Sequence, residues 1–277
     1  FEENYRAAFY DFDKYLSDEL IGKMTTLNIS KEETTLSSNI FERLQDIPLV
    51  DKYEAYQLLD DDWTKIAVDL EIIQTEGFEA TKRVDPNMVI KKKDGKEQEV
   101  QEGWVGRIIP FDLIQDTLLA DDKATLKTKE NRLSEITSEY EELFDLLTEE
   151  EKECDFAGED GFVNAEIKKA LKSDSLEPET KERLSKVAAL NAEEKELKAA
   201  LKKEAGLLEG KTKSTIEGLS DEQVIELLEE KWINPLIQSL MKLPDIIVNG
   251  LVTKIEALAK KYETTFAEVE TQIADTE

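Results

Sequence analysis

The chain has 277 residues, 64 acidic and 36 basic, for a net charge of −28. A chain this acidic shows no concentrated basic face of the kind that autonomous DNA or RNA binding requires, although a local cationic patch is compatible with it. It has no His and a single Cys, Cys154; this removes His-based acid–base catalysis, Ser-His and Cys-His nucleophiles, intramolecular disulfides and most zinc sites.

The length suits one large or two modest cores. No apolar run approaches the roughly 20 residues of a spanning helix, so no membrane partner is expected, and the lone thiol fits a cytoplasmic setting. The chain opens on Phe1 without a signal-peptide pattern, which leads us to expect a piece of a longer protein.

Taken in order, residues 2–27 read as helix, with Tyr5, Phe9, Phe12, Leu16, Leu20 and Met24 at helical spacing. A second helix is expected from Lys31 to Gln45, with Ser30 as N-cap and Glu33 closing a capping box. The stretch Ile47–Phe78 organises the chain. Tyr53, Tyr56, Leu59, Trp63, Ile66, Leu70 and Ile73 share one face of a helix or helix pair, bounded by Pro48 and Gly77.

Between Val84 and Ile109 the helical period disappears. Met88–Val100 reads as a hairpin turning at Asp94-Gly95, and Gly103–Pro110 as an extended run that leads into a helix at Phe111. The lysines at 91–93 and 96 read as a solvated turn rather than a phosphate site.

From Asp122 to Lys152, Leu126, Leu133, Ile136, Tyr140, Leu143 and Leu147 follow coiled-coil spacing, with Lys129 as a polar interruption. A short helix is expected at Phe162–Lys172. A long charged helix then runs over 179–208, with Leu184, Leu190, Leu197, Leu201 and Leu208 on a narrow edge and Gly206, Gly210 and Gly218 marking its exit. So thin a stripe suits an antiparallel pair with the 122–152 helix.

Ser220-Asp221-Glu222-Gln223 is a capping box, and Val224, Leu227, Leu228 and Trp232 form the apolar face behind it. Asn234-Pro235 reads as a restart and Pro244 as a bend. Beyond it Ile247, Leu251, Ile255, Leu258, Tyr262, Phe266, Val269 and Ile273 keep helical spacing, a stripe that needs a partner in this chain or another. The expected fold is mainly α: a helical domain over 1–120 with a β-hairpin insertion, a long helical hairpin over 121–215, and C-terminal helices over 216–277.

The residues themselves offer no active site. Asp85-Pro86-Asn87-Met88 and Asn234-Pro235-Leu236-Ile237 lack the second Pro and the stacking aromatic of an amino-methyltransferase motif. No Gly-rich phosphate loop follows a strand, and the glycines of Gly103-Trp104-Val105-Gly106 serve a bend. Asp60-Asp61-Asp62 reads as a solvated helix start, since neighbouring helical residues point apart. Catalytic, cofactor-binding and metal-ligating residues are therefore expected to be absent from this stretch of chain.

Several long segments carry a family resemblance. Ile47–Phe78, Asp85-Pro86-Asn87-Met88, Glu99–Trp104, Gly106–Phe111, and the tail from Glu230-Lys231-Trp232 to Phe266 resemble the C-terminal part of modification (M) subunits of type I restriction-modification systems. The resemblance covers about residues 1–120 and 220–277. It implies a parent that is an S-adenosylmethionine-dependent adenine-N6 DNA methyltransferase, with its catalytic and cofactor motifs outside this region. It further implies docking on the helices of the DNA specificity subunit, contact with DNA through that complex, and a motor-nuclease subunit in the full enzyme. On these grounds Trp232, Ile247, Leu251, Ile255, Leu258, Tyr262, Phe266 and Val269 are the expected partner-binding residues. Two other readings stay open: an acidic DNA mimic, and a coiled-coil scaffold that associates with itself.

Overall fold

Capped helical runs, interrupted by a Val/Ile-containing extended run and by a short pair of two-residue strands, set the order of elements. The computed structural model describes residues 2–45, 47, 50–93, 96–159, 161–173, 176–262 and 266–275, with the side chains of 2–4, 93, 96, 246, 266 and 267 left out. The fold is mainly α, 76% helical, as the periodicity predicts.

In chain order the elements are α1 (Glu2–Leu16), a π-helical turn at Ser17–Ile21, α2 (Ile29–Leu44), α3 (Lys52–Glu76) and a 3-10 turn at Phe78–Lys82. The strands β1 (Val84–Lys93) and β2 (Lys96–Gly106) follow, then α4 (Phe111–Asp116), α5 (Ala120–Asp145) and α6 (Glu149–Lys152). Next come β3 (Ala157–Gly158), β4 (Gly161–Phe162), α7 (Asn164–Ala170) and α8 (Pro178–Glu217). The chain closes with α9 (Asp221–Leu228), a second π-helical turn at Glu229–Ile233, α10 (Asn234–Lys261) and α11 (Phe266–Ala274).

Two compact units emerge: Phe1–Arg83 with Arg107–Ile109 and Leu219–Glu277, and Val84–Gly106 with Pro110–Gly218. This division differs from the three consecutive segments expected from sequence. The C-terminal helices share a core with the N-terminal ones, and the β-hairpin belongs with the long helices.

The first unit is built on α3. Asp51 caps its N-terminus by accepting from the Tyr53 amide at 2.8 Å, and Gly77, at φ 89°, ends it. Leu59, Trp63, Ile66, Leu70 and Ile73 are buried on one face, each worth roughly 1.5–3 kcal/mol of transfer free energy. Tyr53 departs from that stripe: it is exposed and packs its ring edge against Phe41, with centroids 5.5 Å apart. The α2 cap is Asn28 rather than Ser30. Asn28 is extended and its side chain accepts from the Lys31 amide at 2.9 Å, so the helix starts two residues earlier than the sequence suggests. The Tyr5 hydroxyl donates to the Leu240 carbonyl, and Leu236, Leu240 and Leu243 of α10 are buried. Pro244 does not end α10, which runs through it to Lys261.

The second unit combines a ribbon and a helix pair. β1 and β2 are antiparallel, and one extra residue in β2 between the Pro86↔Trp104 and Met88↔Gln101 pairs makes a bulge. Gly103 sits there at φ 74°, a backbone that side chains strain. The expected turn at Asp94-Gly95 lies outside the described residues. At the ribbon's root the Trp104 amide donates to Glu209 Oε1 at 2.9 Å, and Lys213 Nζ lies 3.2 Å from the Trp104 ring centroid.

α5 and α8 run antiparallel, as expected. Their seam is thin (Ile136, Leu190 and Leu208 are buried), and charges fix its register. Arg132 donates to both oxygens of Glu193 at 2.7 and 2.9 Å, Lys129 pairs with Glu204, and Lys211 pairs with Asp122. Two expectations about these helices need correction. α5 ends at Asp145, where Thr148 and Glu151 begin a capping box for α6. α8 continues to Glu217, with Gly206 and Gly210 inside it; the packing and charge pairs on either side outweigh the roughly 1 kcal/mol that a helical Gly costs. Leu147, Phe156, Ile167, Leu184 and Val187 form a small separate core at the Asp145 end of the pair.

Candidate docking surface

A polar anchor in the first unit fixes where the C-terminal helices begin. Asp69 lies on the buried face of α3, 7% exposed, and its Oδ2 accepts from Trp232 Nε1 at 2.8 Å and from Lys231 Nζ. Lys231 also donates to the Ile108 carbonyl at 2.6 Å. A carboxylate this far from water is tolerated because each donor supplies a charge-assisted or indole hydrogen bond. Lys231 and Trp232 are adjacent, yet both reach one carboxylate. The π-helical turn at Glu229–Ile233 widens the helix locally and lets them do so.

Around this anchor the two π-helical turns meet: Ser17 Oγ donates to Glu229 Oε1 at 2.7 Å. Burial, with Glu229 nearby, pushes the Asp13 carboxyl above the ordinary carboxylate range. These groups are consumed by packing. Asp69 and Trp232 are buried, and Asp13, Ser17, Glu229 and Lys231 are half-buried.

Past Leu243 the character of α10 changes. Leu251 is 57% exposed, Ile255 55%, Leu258 53% and Tyr262 67%, and Ile247, Val248, Val252, Val269 and Ile273 are exposed as well. Val248, Leu251, Ile255, Leu258 and Tyr262 alternate steps of three and four, the a/d seam of a coiled coil. Single exposed apolar residues are ordinary, but a continuous seam of this kind marks an interaction surface. Lys254 and Lys261 fall at the g positions beside this seam.

Of the residues expected to bind a partner, Ile247, Leu251, Ile255, Leu258, Tyr262 and Val269 share this exposed segment. The Phe266 side chain lies outside the described residues. Trp232 does not belong with them: at 2% exposure and bound to Asp69, it is a core residue. Its helical spacing gave no means of separating it from the stripe, because a buried and an exposed face have the same period.

The other sequence candidates show no shared site. Asp60, Asp61 and Asp62 lie in mid-helix rather than at a helix start, with Asp61 accepting from Gln57 at 2.9 Å and Asp62 from Lys65 at 2.8 Å. Asp85 and Pro86 are part of β1, and Asn234 and Pro235 open α10. Among the described residues no group of three His, Cys, Asp or Glu could hold a metal ion, and no helix is long and apolar enough to cross a membrane.

The fold is thus that of a mainly α protein, with an apolar helical seam exposed on α10. Comparison with protein-family models, curated proteins and solved structures found no match.

Proposed function

We propose that this chain is the C-terminal assembly region of the modification subunit of a type I restriction-modification system. In this reading α10 beyond Leu243, together with α11, docks on the helices of the DNA specificity subunit. The observation that carries it is the exposed a/d seam Val248–Tyr262, a surface suited to joining another subunit's helices. The family resemblance supplies the identity of that partner.

The parent subunit, in this proposal, is cytoplasmic and methylates adenine N6 in DNA with S-adenosylmethionine. The present region contributes no catalytic or cofactor-binding group. It positions the methyltransferase on DNA through the assembled complex, which the motor-nuclease subunit joins for restriction.

The test is co-purification with a cognate specificity subunit, using the chain with and without residues 245–277. The expected result is binding that disappears with the truncation while circular dichroism of the shortened chain retains its helical signal and cooperative melt. Binding that survives truncation, or an intact chain that fails to bind, would overturn the docking role. Sedimentation of the isolated chain separates the self-associating scaffold, which forms stable dimers without any partner.

A further inference from the structure

The second unit holds an open cleft that the docking proposal does not use. It has a volume of about 740 Å³ and lies between the last turns of α5 and the β3–β4 hairpin with the start of α7. That size falls within the usual range for ligand clefts. Tyr140, Phe144, Phe162 and Val163 form its apolar wall, and Glu141 and Asp145 its polar one. The Phe144 and Phe162 rings meet edge to face, 5.3 Å between centroids at 89°, which makes a corner with aromatic faces on both sides.

The spacing is what gives the cleft its character. Tyr140 and Phe144 are one helical turn apart, and so are Glu141 and Asp145, so α5 presents a pair of rings beside a pair of carboxylates. Those carboxylates are poorly placed for the helix itself. They repel one another at i,i+4, they sit at the negative end of the helix dipole, and the last turn of α5 has no basic residue. Among the described residues neither is paired with a cation. Tyr140, by contrast, is already engaged, its hydroxyl donating to Glu194 at 3.2 Å. The wall therefore offers π faces and two uncompensated negative charges, and lacks a cation of its own.

We propose that this cleft accepts an arginine side chain from a partner polypeptide. The planar guanidinium lies against the Phe144–Phe162 corner and pairs with Glu141 and Asp145. Arginine fits better than lysine because its delocalised, weakly hydrated head stacks on aromatic rings while its fork still reaches two carboxylates. Occupation relieves the repulsion between Glu141 and Asp145, which is the source of selectivity for a cation.

The probe is Nα-acetyl-arginine amide, titrated into the intact, isotopically labelled chain and followed by amide NMR, with the citrulline analogue as neutral counterpart. The expected result is saturable, weak binding whose shifts are confined to Thr137–Asp145 and Gly161–Asn164. Citrulline should give none. The double variant Glu141→Gln/Asp145→Asn should weaken binding by roughly tenfold, the loss of a charge-assisted pair. That variant removes a repulsion, so it should melt no lower than the native chain, and lost binding cannot be ascribed to unfolding. Equal binding of citrulline, unaltered binding by the double variant, or shifts spread over the acidic surface of α3 would each overturn the proposal.

Discussion

Asp69 and Trp232, 163 positions apart, are joined by a 2.8 Å hydrogen bond in the core of the first unit. That contact, with the Lys231 ammonium on the same oxygen, ties the π-helical turn before α10 to the central helix α3. Replacing Asp69 by Ala leaves a largely buried ammonium and an indole N–H without their acceptor. The expected loss is about 3 kcal/mol in urea unfolding. Asp69→Asn keeps an acceptor and should lose less. A change below about 1 kcal/mol for Asp69→Ala would mean that the anchor is not structural.

The open seam and the buried part of α10 should respond in opposite ways to substitution. Leu251→Glu and Leu258→Glu should leave stability within about 0.5 kcal/mol, since neither side chain is buried. In the proposed docking role, both should abolish capture by a cognate specificity subunit. Leu240→Ala, in the core, should cost roughly 2–5 kcal/mol. Denaturation of the three variants beside the co-purification assay checks the contrast.

Gly103 should tolerate no side chain cheaply. Its φ of 74° is strained for any other residue, and an added Cβ would clash with Glu209 Oε1, the acceptor of the Trp104 amide. Glu209 can swing aside, but only by giving up that bond. Gly103→Ala should cost roughly 1–2 kcal/mol. Hydrogen exchange should quicken along β1 and β2 and stay unchanged in α3. Uniform acceleration in α3 as well would contradict a local role.

Acid should affect the two units with opposite signs. In the first, Asp13 has its folded pKa raised by burial and by Glu229. Its ionised form is the disfavoured one, so this penalty is present at neutral pH and disappears as pH falls through the raised value. Asp13→Asn should therefore raise the melting temperature at pH 7 and change little in mild acid.

In the second unit Glu193 is lowered by the Arg132 guanidinium. Glu151 is also lowered: burial opposes the shift, and hydrogen bonds from Thr180 and Thr148, with the charge of Arg183, outweigh it. For both, the stabilisation is complete above the unfolded carboxylate pKa and is lost as pH falls through the depressed one. Exchange rates along α5 and α8 should rise below about pH 4, the range where unperturbed carboxylates titrate. Rates insensitive to acid there would remove the Arg132–Glu193 pair as a source of register.

Much of this architecture is legible in residue order because its causes are local. The Ser220–Gln223 capping box, the burial of Leu59, Trp63, Ile66, Leu70 and Ile73, and the Met88–Val100 part of the ribbon, which the structure extends to Val84–Gly106, follow from spacing and side-chain type. The charged edges of 122–152 and 179–208 similarly required a partner of their own kind, and the antiparallel pair supplies it.

Other outcomes depend on contacts between distant segments, to which periodicity is blind. The same 3-4 repeat describes Val224, Leu227, Leu228 and Trp232, which are buried, and Leu251, Ile255 and Leu258, which are exposed. What separates them is packing: the first set lies in the core of the first unit, and the second, far along α10, does not. Pro244 and Gly206 look like breaks in the sequence and lie within helices, because packing and pairing on neighbouring turns exceed their local cost. The sequence by itself determined which residues become helix or ribbon and that an apolar C-terminal stripe exists. Only the tertiary structure decided which stripe is core and which is left open, because burial is a property of what lies opposite.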